Sequence, residues 1–196
     1  MYIIFEGVDT SGKSTQIKLF EKNFDDIITI KEPGGTKLGE KLRDIILNSS
    51  DNISFTAEFF LFLADRAQNF EENIKNTRDK ILISDRGMIS GISYALANHP
   101  TLDEDFLILA NKFALSGNLP DKVVLFKTNE TLIQKRLTQK NSDNIELRGI
   151  KYLLRVQDLM IDVLNKLPIK VLVIDASKSI EKIHNEIKDF IYDTSA

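Results

Sequence analysis

Tyr2-Ile3-Ile4-Phe5-Glu6-Gly7-Val8-Asp9-Thr10-Ser11-Gly12-Lys13-Ser14-Thr15 is the stretch whose reading decides the fold. Its apolar start, Tyr2 to Phe5, has the pattern of a short buried strand, and G-x-x-x-x-G-K-[ST] follows without a mismatch. A strand feeding a Gly-rich loop and then a helix is the context that gives this motif its meaning. Gly7 and Gly12 allow backbone angles that turn N–H groups inward around anionic oxygens. The helix that begins near Lys13 adds the positive end of its dipole. In that geometry Lys13 reaches the outer phosphates of a nucleotide, and the Ser14 hydroxyl holds Mg²⁺. A chance Gly-rich turn would need neither the strand before the loop nor the helix after it.

Outward from this loop, short apolar runs alternate with longer helical patterns, the mark of parallel strands joined by crossover helices. Strands are expected at Tyr2–Phe5, Ile27–Ile30, Lys80–Ser84, Val123–Lys127 and Lys170–Ile174. Helices are expected at Lys13–Phe24, Lys37–Leu47, Thr56–Lys75, Leu102–Ser116, Glu130–Thr138, Gly149–Leu167 and Ser179–Tyr192, with Ser177 or Ser179 capping the last. Phe59 to Leu63 are consecutively apolar, too many for one helix stripe. Core burial accounts for most of that run, with a ligand or a second subunit as the other candidate. The polar stretch from Thr138 to Ile145 reads as a surface loop or a lid. No linker or repeat interrupts the chain, so the expectation is an α/β fold with a five-stranded parallel sheet between helices, in one domain over 1–196.

Bulk properties narrow the function. The chain has 196 residues, 42% hydrophobic and 28% charged, in the range of an ordinary globular domain. A formal charge of −3 argues against a nucleic-acid surface. The absence of cysteine excludes thiolate chemistry, and having two histidines, His99 and His184, argues against a multi-His metal site. No stretch approaches ~18 consecutive apolar residues and none has the form of a signal segment, so no membrane partner and a cytoplasmic location are expected.

The loop alone leaves several classes open. A GTP-specific switch carries N-K-x-D; Asn111-Lys112-Phe113-Ala114 lacks the aspartate and falls in a helical pattern. Transporter ATPases carry L-S-G-G-Q; Leu115-Ser116-Gly117-Asn118-Leu119 reads instead as a helix ending at Gly117 with Pro120 beyond. The remaining signals suit a second, anionic substrate. Lys31-Glu32-Pro33-Gly34-Gly35-Thr36 is a turn whose backbone can approach a ligand. Ser84-Asp85-Arg86 ends a strand at the carboxyl edge where such sheets bind ligands. Phe62 and Arg66, at i and i+4, put a ring and a guanidinium on one helix face, fit to stack on a base and bond to its edge. Taken alone, Phe62 reads as core and Arg66 as a surface ion-pair partner of Asp65 or Glu58.

These motifs together resemble the thymidylate kinase (dTMP kinase) family over essentially the whole length. The resemblance rests on F-E-G-x-D-x-x-G-K-S-T, on Glu32-Pro33-Gly34-Gly35-Thr36 with Gly39, Glu40 and Arg43, and on Phe62-Leu63-Ala64-Asp65-Arg66-Ala67-Gln68. Asp85-Arg86 followed by Ser90-Gly91 and Tyr94 completes it. It implies a P-loop nucleoside monophosphate kinase-like fold with a short lid at about 138–148, transferring phosphate from Mg·ATP to dTMP, and a homodimer. It implies ATP-binding roles for Gly7, Val8, Asp9, Thr10, Ser11, Gly12, Lys13, Ser14 and Thr15. Arg136 either packs against adenine or is an ordinary solvent-facing residue. For dTMP it implies Asp9 at the sugar hydroxyl, Glu32 beside the site, Arg43 and Arg86 on the monophosphate, Phe62 on the base and Arg66 on its O4. It further implies Ser90 and Gly91 among the dTMP-binding residues, Tyr94 lining the sugar pocket, and Asp85 orienting water on Mg²⁺.

Three departures from the family pattern stand out. The loop positions Val8 to Ser11 and the lid position Asn144 carry no arginine, so Lys140 or Arg148 is expected to supply the missing charge, with Lys13, Asp9 and Arg86 completing the catalytic set. Gly87 stands where an aromatic residue often follows Asp-Arg, and Ala95 where many bacterial members have glutamine. A kinase for another deoxynucleotide or a deoxynucleoside, and a non-catalytic ATP-binding regulator, are the alternatives; Arg43 and Arg86 argue for a phosphate-bearing acceptor.

Overall fold

The computed structural model describes residues 1–50, 52–77, 80–137 and 149–193. Five strands, β1 (Tyr2–Glu6), β2 (Ile27–Lys31), β3 (Ile81–Asp85), β4 (Lys122–Lys127) and β5 (Lys170–Asp175), lie in the order β2-β3-β1-β4-β5. Every pairing is parallel, with Ile4 level with Ser84 on one side and Val123 on the other. The chain enters at the centre of the sheet, builds one half and then crosses to the other. The loop after β1 therefore opens where the winding changes direction, the place such sheets hold ligands.

Helices cover both faces, which is why the central strands read as continuous apolar runs. On one face Ile3, Phe5, Ile83, Val124 and Phe126 pack with Phe20 of α1 (Lys13–Asn23) and Ile183 and Ile187 of α8 (Ile180–Tyr192). On the other, Ile4, Leu82, Val123 and Leu125 meet α3 (Phe55–Asn69), α4 (Met88–Asn98), α5 (Glu104–Ala114) and α7 (Ile150–Asn165) through Phe59, Ile92, Leu107 and Val156. α2 (Lys37–Asn48) leans on α3, and α6 (Glu130–Leu137) inserts Ile133 into the second core.

Thr36, Ser54, Asp103 and Ser179 cap α2, α3, α5 and α8 with their side-chain oxygens. α1 has no such cap: Gly12 precedes it in the left-handed region at φ 105°, leaving the first N–H groups open. Among the described residues, no helix is long and apolar enough to cross a membrane.

The expected strands and helices are found to within two residues at each end, with two differences. The helix expected to run to Lys75 changes to a π-helical turn at Phe70–Ile74, where Asn73 bonds both Asn69 and the Gly35 carbonyl. α4 has no counterpart in the sequence reading. It buries Met88, Ile89, Ser90, Ile92, Ser93, Ala95, Leu96 and Ala97, so it lacks the polar stripe that marks a surface helix, and its Gly, Ser and Ile residues are weak helix formers.

Phe20 is fully buried, edge-on to Phe5 at 6.0 Å and against the His184 ring at 4.5 Å. Phe20→Ala is expected to cost about 3–5 kcal/mol in urea unfolding, the usual loss for truncating a core phenylalanine.

Candidate active site

Two adjoining cavities open at the carboxyl ends of β1 and β3. The larger, about 550 Å³, is lined by the loop residues Asp9 to Gln16, by Asp85, and by Arg136, Lys178 and Ile180. The smaller, about 240 Å³, is lined by Phe62, Arg66, Ser90, Gly91 and Tyr94 among others. Asp9, Glu32, Arg43 and Arg86 line both. Two carboxylates and two guanidiniums thus form the boundary between the chambers. A third cavity, of about 470 Å³ at the opposite edge of the sheet around Met1 and Asp121, holds none of the motif residues.

Lys13 is buried, and its ammonium donates to the carbonyls of Gly7 at 2.8 Å and Val8 at 3.2 Å. Burial, with the Arg86 charge adding to it, lowers its pKa to about 8. Arg86 also donates to Gly7 O at 3.0 Å, and further to Ser90 Oγ at 3.0 Å and Asp9 Oδ1 at 2.6 Å. Its backbone sits in the left-handed region at φ 72°, a strain of about 1–2 kcal/mol that these contacts offset. Ser14 Oγ donates to Asp85 Oδ2 at 3.4 Å, which brings together a hydroxyl and a carboxylate, both hard oxygen ligands suited to Mg²⁺. Among the described residues, no group of three or more His, Cys, Asp or Glu could hold a metal. Among the described residues, the Ser11 hydroxyl and the Tyr94 hydroxyl are buried with no hydrogen-bond partner, one in each chamber.

Arg136 donates to Thr10 O at 2.8 Å and Ala176 O at 2.9 Å. It therefore braces the phosphate loop against the turn before α8, and is not a solvent-facing residue.

The reading of Arg66 on its own, as a surface partner of Asp65 or Glu58, is overturned. Arg66 is 3% exposed, and its Nε and Nη2 both lie 2.9 Å from Glu32 Oε2. Asp65 turns the other way and accepts the Gly34 N–H at 2.9 Å. Burial, reinforced by Glu32, raises the Asp65 pKa to about 6. Asn69 completes the hold on Glu32 by donating to Oε1 at 3.0 Å. Arg43 reaches back to Pro33 O at 2.8 Å. The turn from Glu32 to Gly35 is thus clamped from α3, and that clamp fixes one wall of both chambers.

Gly87 and Ala95 also line the smaller chamber. A Cβ at Gly87 would meet Ile4 Cδ1 at 2.6 Å, so a larger residue there requires Ile4 to move. Lys140, Asn144 and Arg148, with the whole expected lid, lie outside the described residues.

Two site residues escaped the sequence reading. Glu6 is fully buried at the end of β1, where it accepts from the N–H of Ser90 at 3.1 Å and from the Ser90 hydroxyl, and burial raises its pKa. A charge closing an apolar strand was the available signal. Asn111, on α5, accepts from Arg66. Nothing in sequence spacing links the two, since they are brought together only by packing of α5 on α3.

A thymidylate kinase family profile matches residues 5–187. The chain is 52% identical over 192 residues to thymidylate kinase from Campylobacter concisus, covering 97% of this chain and 98% of that one. It is 49% identical over 191 residues to the Sulfurovum sp. thymidylate kinase, covering 97% and 99%. Its fold superposes on thymidylate kinase structures from Candida albicans, with TM-score 0.77, 25% identity and coverage of 97% and 90%, and from Ehrlichia chaffeensis, with TM-score 0.75, 24% identity and coverage of 97% and 98%.

The depressed Lys13 pKa has a measurable sign. Above about pH 8 the empty loop sheds the Lys13 proton, and a bound polyanion must recover it. Tripolyphosphate affinity, followed by calorimetry, is expected to fall by up to about tenfold between pH 8 and 9. Lys13→Met should remove most of that dependence along with most of the affinity.

Proposed function

This chain belongs to the thymidylate kinase family, and we propose that its larger chamber takes ATP, its smaller chamber takes dTMP, and their shared wall is where the phosphoryl group crosses. The enzyme phosphorylates dTMP to dTDP with ATP as donor. The observation that carries the assignment of chambers is the wall itself, in which Asp9, Glu32, Arg43 and Arg86 face both sides. A monophosphate entering the smaller chamber meets two guanidiniums, whose planar donors suit its oxygens. A nucleoside acceptor would instead need a base beside its hydroxyl.

The chemistry is mainly an electrostatic problem. An oxygen of the acceptor phosphate attacks the γ-phosphorus in line; the bond to the β–γ bridging oxygen breaks, and ADP leaves. The attacking phosphate is already ionised near neutral pH, so no general base is required. What the protein must supply is alignment and positive charge between two anions. Lys13 and Arg86, which share the Gly7 carbonyl, exchange that contact for phosphate oxygens as the substrates enter. The open N–H groups at the start of α1 cradle the donor phosphates. Asp9, released from Arg86, takes the sugar hydroxyl of dTMP, while Phe62 stacks on thymine and Arg66 donates to its O4. Ser14 and Asp85 would hold Mg²⁺, which supplies charge neutralisation on the donor phosphates.

For the homodimer implied by the family, α5 is the proposed face. Phe106, Leu109 and Phe113 follow one another along α5 with 54%, 66% and 86% of their surface exposed, and Phe60 of α3 is 57% exposed nearby. Phe59, whose ring lies 6.1 Å from Phe60 and 6.5 Å from Phe106, is core. Of the run from Phe59 to Leu63, then, Phe60 is the residue that faces outward, and it extends an apolar patch centred on α5.

Coupled ADP release with Mg·ATP against dTMP, dCMP, dGMP and thymidine tests the function; saturable turnover is expected on dTMP, and turnover confined to thymidine would sink the chamber assignment. Arg86→Ala should lower kcat by at least about 10³-fold, the scale for a cation at a transferring phosphoryl. By sedimentation, Phe113→Glu and Leu109→Glu should convert a dimer to monomers, and a wild-type protein that sediments as a monomer at micromolar concentration would refute the α5 interface.

A further inference from the structure

Arg66 is a buried cation with more donors than any one partner can take. Its guanidinium carries five N–H bonds and no acceptor. Nε and Nη2 engage Glu32 Oε2, and Nη1 donates to Asn111 Oδ1, which among the described residues leaves an N–H on each Nη. That remaining edge faces Gly91 of α4, where a Cβ would come within 3.4 Å of Nη1 and 3.5 Å of Nη2. With hydrogen there, the edge stays open to the smaller chamber that both residues line.

Asn111 is the second partner of Arg66. It is 0% exposed on α5, opposite the helix that carries Arg66. Its Nδ2 donates to the Leu107 carbonyl at 2.7 Å, so its donor end is spent within its own helix and its oxygen must face Arg66. A flipped amide would set NH₂ against a guanidinium, donor against donor, so the orientation is dictated by chemistry. Glu32 alone grips one side of the guanidinium and leaves it free to pivot about that contact. Asn111 grips the other side and stops the pivot.

Resting on the acceptor assignment above, we infer that Asn111 is a positioning residue that sets base selectivity by locking the plane of Arg66. A locked guanidinium offers only donors to the far edge of the base. A 4-keto pyrimidine meets it with an acceptor; a 4-amino pyrimidine brings its own N–H and leaves buried donors unpaired, the kind of mismatch that discriminates strongly. A guanidinium that can pivot yields to either base. Selectivity for the keto base therefore depends on an asparagine that touches no substrate.

The test begins with wild-type kcat and KM on dTMP and dCMP, then repeats them in Asn111→Leu, which matches the side chain in size but removes the acceptor. KM for dTMP should rise about tenfold with kcat within about threefold, the pattern of lost ground-state positioning. The dTMP:dCMP ratio of kcat/KM should fall about tenfold, and KM for ATP should hold. Asn111→Ser, too short to reach Nη1, replaces it if the leucine variant melts early. Asn111→Asp, which keeps an accepting oxygen, should retain the ratio. In an Arg66→Lys background, Asn111→Leu should add nothing further. A folded leucine or serine variant with an unchanged ratio overturns the inference, as does an aspartate variant that loses the ratio to the same extent. Lack of dTMP turnover by the wild type overturns the acceptor assignment, and this inference with it.

Discussion

Lys13 and Arg86 donate to the same oxygen, the carbonyl of Gly7, and so two cations are held side by side on the floor of a cleft. Like charges that close, one of them fully desolvated, are costly to assemble, and the surroundings show how the cost is met. Asp9 pairs with Arg86, Asp85 stands at the end of β3 beside Ser14, and Glu6 lies buried behind Ser90. Phosphoryl transfer requires a concentration of positive charge of this kind. The positive φ of Arg86 and its bonds to Gly7, Asp9 and Ser90 tie the ends of β1 and β3 and the start of α4 to that one guanidinium.

The smaller chamber depends on α3 in a different way. Asp65 and Arg66, then Asn69 and Asn73 a turn apart, reach the turn after β2 at Gly34, Glu32 and Gly35. One helix face therefore measures out a loop that has no regular hydrogen bonding of its own. The π-helical turn begins just past Asn69, where the asparagine ladder is made. Burying so many polar groups is tolerable because they satisfy one another, and a partly satisfied set would be worse than an apolar core. The result holds Glu32 and Arg66 together in the wall of the smaller chamber.

Much of this was legible in the chain itself. The G-x-x-x-x-G-K-[ST] loop, the strand before it and the alternation of short apolar runs with helices led to a five-stranded parallel sheet with the site at its carboxyl edge. The motif residues Asp9, Lys13, Glu32, Arg43, Phe62, Arg66, Arg86 and Tyr94 do converge on the two chambers. What escaped had physical causes. α4 is buried on nearly every side, so no periodic contrast announces it. Arg66 looked like a surface residue because local spacing offers Asp65, whereas its partner Glu32 lies 34 positions away.

The sequence by itself determined the phosphate-loop motif, the alternation of strands and helices, and the short motifs shared with the thymidylate kinase family. Those follow from residue types at short, fixed spacings, which can be read before any tertiary contact is known. Only the tertiary structure decided which carboxylate Arg66 and Arg86 each take, that Lys13 and Arg86 share one carbonyl, and that Asn111 accepts from Arg66. Such pairings join residues tens of positions apart, and they are selected by how helices pack on a sheet and by the demand that every buried donor find an acceptor.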